Sequence, residues 1–88
     1  MRIQVRRTGG FAGIEHHREI DTTGRGDAAA LHSLAEQTLT EARTEPPVGV
    51  PDGFTYQITI DDRTVYCADP RLTEPQRTLI SKVLKEGA

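Results

Sequence analysis

The stretch Phe54-Thr55-Tyr56-Gln57-Ile58-Thr59-Ile60 alternates apolar and polar side chains without a break. Successive side chains of a strand point to opposite faces, so Phe54, Tyr56, Ile58 and Ile60 line one face and Thr55, Gln57 and Thr59 the other. Aromatic and β-branched residues suit such a pleated, half-buried surface. A strand that is dry on one face needs partner strands beside it and an apolar cover over that face.

The rest of the chain supplies both. Asp61-Asp62 forms a tight turn into Arg63–Ala68, where Val65 and Cys67 alternate with Tyr66, so the pair reads as a hairpin. At the start of the chain Met1, Ile3 and Val5 fall on one face, with Arg2, Gln4 and Arg6 on the other. Three glycines in Gly9-Gly10-Phe11-Ala12-Gly13 mark a turn with unusual backbone angles. A second strand covers Ile14 to Ile20. His16 and Arg18 share a face with its two isoleucines, which marks it as an edge or half-exposed strand.

The cover comes from two helices. After the polar connector 21–27, Asp27 is placed to cap a helix from Ala28 to Arg43 whose Leu31, Leu34, Ala35, Leu39 and Ala42 form one face. Pro46, Pro47 and Pro51 keep the following segment 45–53 out of any helix, because each removes a donor and fixes φ. Thr73-Glu74-Pro75-Gln76 has the pattern of a capping box and opens a second helix, with Leu79, Ile80, Val83 and Leu84 on its apolar face and Gly87 just past its end. The order is strand, strand, helix, strand, strand, helix. The expected fold is α+β: a four-stranded antiparallel sheet with two helices packed on one face, in a single domain spanning 1–88. The pattern leaves the strand order open.

Element lengths place the loops. A helix over Ala28–Arg43 rises about 24 Å and a seven-residue strand covers about 23 Å, so the helix returns the chain to the end of the sheet where the glycine turn lies. The loops 9–13 and 45–53 and the connector 69–72 are therefore expected on one rim. Irregular loops held together by a rigid scaffold are a common place for binding.

Composition removes several function classes. At 88 residues the chain holds one modest core, and Cys67, its only cysteine, cannot form an internal disulfide. A lone thiol suits a reducing compartment or simply a fold that needs no bridge, and the charged, alternating N-terminus has no apolar secretory core, so a cytoplasmic location is expected. No apolar run is long enough to span a membrane. Thirteen acids against eleven bases give a net charge of −2, and Arg2, Arg6 and Arg7 read as a solvated strand face, so no nucleic-acid partner is expected.

Catalytic constellations are equally absent. His16 and His17 are adjacent on a strand and point to opposite faces, so they do not ligate one ion together, and Asp61-Asp62 lies where a hairpin turn is needed. Cys67 falls on the apolar face beside Val65, where a thiol is an inert core residue. Ser33 and Ser81 lie within helices rather than in a nucleophile elbow. The glycine turn is followed by strand rather than by the helix a phosphate cradle requires. Arg25-Gly26-Asp27 is read as the start of a helix. The expectation is a binding module with no catalytic residue, no metal and no cofactor.

The opening Met1–Ile14, with Thr8-Gly9-Gly10-Phe11-Ala12-Gly13-Ile14 at its end, resembles the start of emfourin-like proteins, and Asp52–Ile60 and the closing helix from Pro75 to Leu84 are similar to later parts of that family. The resemblance spans nearly the whole chain. It implies a proteinaceous inhibitor that blocks the active-site cleft of a thermolysin-like, especially protealysin-like, zinc metallopeptidase; the free chain is expected to be a monomer. Gly9, Gly10, Phe11, Ala12, Gly13, Pro46, Pro47 and Pro51 are then the expected partner-binding residues. Phe11 is either the anchor that enters the cleft or a plug over the core. The alternative function is a non-catalytic accessory module with a partner that is not a peptidase.

Overall fold

A computed structural model of the chain describes residues 1–9, 15–45, 53–69 and 71–88. Six elements follow one another: β1 (Arg2–Thr8), β2 (His16–Asp21), α1 (Ala28–Glu41), β3 (Thr55–Ile60), β4 (Arg63–Ala68) and α2 (Glu74–Glu86). The strands form one antiparallel sheet in the order β2-β1-β3-β4. This is the expected α+β fold, and it supplies the strand order that the pattern left open. The amino-terminal strand is central, flanked by β2 and β3, so α1 carries the chain from one edge past β1 to β3.

The register explains which residues are dry. Ile3 lies opposite both Ile20 and Ile60, Val5 opposite Ile58, and Ile58 opposite Val65. Directly opposed residues share a face, so these rows form one apolar surface. Leu31 and Ala35 of α1 and Leu79, Ile80 and Val83 of α2 complete the buried cluster on it. The opposite face is polar, with Arg2 paired to Glu19 at 3.4 Å and Arg6 to Glu15 at 3.1 Å. Arg7 departs from the expected solvated face. Its odd position in β1 turns it to the helix side, where its guanidinium stacks 4.5 Å from the centre of the Phe54 ring.

The helix ends are set locally. Thr73 accepts from the Gln76 amide while the Gln76 side chain accepts from the Thr73 amide, so the capping box forms as read. Asp27 occupies the cap position of α1 but makes no side-chain cap bond. Its carboxylate is taken by Arg25 at 2.9 Å and Lys82 at 2.9 Å, and both cations also reach Glu86. This four-residue network ties the start of α1 to the end of α2. α1 stops at Glu41, two residues short of the expected end. Arg43 instead exchanges two backbone hydrogen bonds with Tyr66, along the outer edge of β4. Ala88 does the same with Glu19 along β2. Both sheet edges are thereby partly covered, as exposed strand edges require.

Candidate functional site

The ladder ends bring the loop stems together. Thr8 of β1 opposes Thr55 of β3, Thr55 opposes Ala68 of β4, and Arg7 opposes His16 of β2. The last residues before and the first after the turn 9–15, the residues entering β3 and those leaving β4 therefore share one end of the sheet. Asp61-Asp62 and the connector 22–27 lie at the other, where Asp61 donates to and accepts from the backbone of Arg2.

At the loop end the backbones are in close contact. Gly9 has φ 113°, and a Cβ there would come within 2.9 Å of the Gly53 carbonyl oxygen. A Cβ on Gly53 would in turn meet the Asp69 Cβ at 2.9 Å. The Asp69 amide donates to the Phe54 carbonyl at 3.0 Å, and the Arg71 amide to that of Ala68 at 3.0 Å. Glycine at 9 and 53 is thus what lets three chain segments stack side by side, since no side chain separates them.

Side chains reinforce this row. The Phe54 ring lies 6.5 Å from that of Tyr56, tilted by 57°, and Arg7 covers its face. The Tyr56 hydroxyl donates to Asp69 Oδ2 at 3.3 Å. Burial and the neighbouring Asp69 carboxylate raise the Tyr56 phenol above its ordinary value, so it stays a donor at neutral pH. Cys67, on the same face, is pushed up to about 12, first by burial and then by Asp69. A thiol held that far above neutrality carries almost no thiolate and is a poor nucleophile.

Of the residues expected to bind a partner, Gly9 is placed on this rim. Gly10, Phe11, Ala12 and Gly13, with Pro46, Pro47 and Pro51, lie outside the described residues. Their described flanks, Gly9 and Glu15, Glu45 and Gly53, are the stems just set out, apart from Glu45, which follows the Arg43–Tyr66 bridge on β4. Among the described residues no three His, Cys, Asp or Glu side chains are grouped to hold a metal ion, and no helix is long and apolar enough to cross a membrane.

One group of residues escaped the sequence reading. Arg7, His16 and Arg18 lie on the helix side of the sheet and, with Ser81, Leu84 and Lys85 of α2, line an open cleft. Its trace in the sequence was the poor alternation of the second strand, where His16 and Arg18 fall in phase with Ile20.

Comparison with known proteins gives one positive result: a family model described as Emfourin matches residues 5–84, from the middle of β1 almost to the end of α2. No curated protein and no solved structure matches.

Proposed function

The chain belongs to the Emfourin family, and from that premise we propose that it is a proteinaceous inhibitor that blocks the active-site cleft of a thermolysin-like zinc metallopeptidase. The observation that carries this reading is the family match over 5–84, which takes in most of β1, the other three strands, all of α1 and most of α2. The geometry supports it from a second side. Inhibiting by obstruction needs no reacting groups. It needs a rigid body that holds its contact segments in place, and here the backbones at Gly9, Gly53 and Asp69 are in close contact at one end of the sheet.

In this reading the loop 9–13 enters the cleft and the proline-containing segment supports it. Phe11 is the anchor, because buried aromatic side chains commonly dominate interface energetics. Glycines on both sides let the backbone approach a cleft wall closely. Pro46, Pro47 and Pro51 restrict their segment before binding and so reduce the ordering cost. The four-stranded core with Ile3, Val5, Ile58 and Leu79 fully buried holds the stems in place.

The test is residual activity of purified thermolysin-like peptidases titrated with the chain. The proposal expects activity to fall to near zero at equimolar inhibitor, and Phe11→Ala to weaken inhibition at least ten-fold, about 1.4 kcal/mol. Full activity at several-fold excess would remove the inhibitor reading and leave an accessory module with another partner. Unchanged potency of a folded Phe11→Ala variant would remove only the anchor.

A further inference from the structure

The cleft between α2 and the loop-side half of β2 has a volume of about 390 Å³ and is lined by Arg7, His16, Arg18, Ser81, Leu84 and Lys85. Its charge is one-sided in a chain whose net charge is −2. The nearby acids are committed elsewhere. Glu15 and Glu19 pair with Arg6 and Arg2 on the opposite face of the sheet, and Glu86 pairs with Arg25 and Lys82 toward the start of α1. Among the described residues Arg7, Arg18 and Lys85 have no ion-pair partner. Arg7 Nε is buried without a hydrogen-bond partner, and Arg18 Nη1 donates only to the carbonyl of its neighbour His17 at 2.8 Å.

Arg7 and His16 are directly opposed across the β1–β2 ladder, with Arg18 one pair further along the same face. Two guanidiniums and an imidazole thus line one side of the cleft. The donors suit an anion. A guanidinium presents a planar fork that matches a carboxylate, Lys85 adds a compact charge, Ser81 adds a hydroxyl, and the apolar flank of Leu84 strengthens electrostatic attraction beside it.

We propose that this cleft is a carboxylate site that receives an aspartate or glutamate side chain of the bound peptidase. The inference rests on the inhibitor reading above and adds a second contact region to it. Arg7 and His16 are the last pair of the β1–β2 ladder, at the end of the sheet that the inhibitor reading assigns to the peptidase, so the cleft adjoins that end. Exposed complementary charges at an interface act mainly on the association rate and on its salt dependence.

The experiment measures the association rate constant of the chain with a thermolysin-like peptidase at low and at physiological ionic strength. It compares the wild type, Arg18→Glu/Lys85→Glu and Arg18→Gln/Lys85→Gln, with Arg63→Gln at the opposite end of the sheet as the control and thermal melts to verify folding. The expected result is a fall on the order of ten-fold or more for the reversed pair at low salt, a smaller fall for the neutral pair, a flatter salt dependence for both, and no change for Arg63→Gln. Should the reversed pair fail to fold, the neutral pair carries the same directional test. If the wild type inhibits and the folded variants keep its rate and salt dependence, the carboxylate site is refuted while the inhibitor reading stands. If the wild type does not inhibit, both fall together.

Discussion

Replacing Gly9 by alanine tests the closure of the loop rim most sharply. Two costs follow from the geometry. At φ 113° Gly9 occupies backbone space that side-chain-bearing residues rarely adopt, and holding alanine there costs about 1–3 kcal/mol. The new Cβ also meets the Gly53 carbonyl oxygen at 2.9 Å and the Phe54 Cα at 3.5 Å, both of them backbone atoms. Gly53 cannot retreat freely, because it is backed by the Asp69 Cβ. Overpacking of this kind costs about 1–3 kcal/mol. Against these, alanine restricts the unfolded chain and returns about 0.4–1 kcal/mol. The net expectation is destabilisation by about 2 kcal/mol or more, which for a domain of this size lowers Tm by roughly 8–16 °C. Urea denaturation with an unchanged m-value is the assay. Gly24→Ala is the internal control: its φ is 80° but nothing lies within 4 Å of a Cβ there, so strain of about 1–2 kcal/mol, less the same return of about 0.4–1 kcal/mol, leaves a net loss of about 1 kcal/mol. Stability of Gly9→Ala within about 0.5 kcal/mol of wild type, or no worse than Gly24→Ala, would refute the stacked-stem geometry.

Three further outcomes are expected. Thr38 is fully buried in α1 and its hydroxyl has no hydrogen-bond partner, so Thr38→Val raises stability by about 1 kcal/mol; a loss of that size in a denaturation curve contradicts the burial. The Arg25, Lys82 and Glu86 surroundings bear on acid stability: hydrogen bonds from Arg25 and then Lys82 hold the Asp27 carboxyl well below the usual range. The stability it contributes is present above the ordinary carboxylate pKa and is lost as pH falls through the depressed native value. Asp27→Asn therefore flattens the fall in Tm below about pH 4, and an identical acid limb in wild type and variant contradicts the network. Cys67, pushed up to about 12 by burial and Asp69, resists alkylation at pH 8 in the native protein and reacts once the chain is unfolded. Equal rates in the two states contradict its placement.

Much of this fold is legible in the sequence because two periods dominate it. Ile3 and Val5, and Tyr56, Ile58 and Ile60, keep to a period of two. Leu79, Ile80 and Val83 keep to the helical period, and all eight are buried. The Thr73 capping box depends only on local chemistry and forms as read. What local pattern does not carry is pairing between distant segments. The central place of β1 depends on its two-sided register, and the early end of α1 depends on Arg43 finding the β4 edge. The Asp27 carboxylate is drawn from its cap role by Arg25, two residues away, and by Lys82, far away in sequence. Charge alone puts Arg7 on a wet face, whereas strand parity turns it inward over Phe54. The basic cleft is not legible locally, because its residues come from β1, β2 and α2, and only the sheet register and the lie of α2 bring them together.

The most direct test of the central claim, that the loop end of the sheet is the surface that meets the peptidase, is backbone hydrogen–deuterium exchange with and without one equivalent of a thermolysin-like peptidase. The account predicts added protection at residues 8–9, 53–55 and 68–71, with the 22–27 connector and the 61–62 turn unchanged. Protection confined to that opposite end would contradict it.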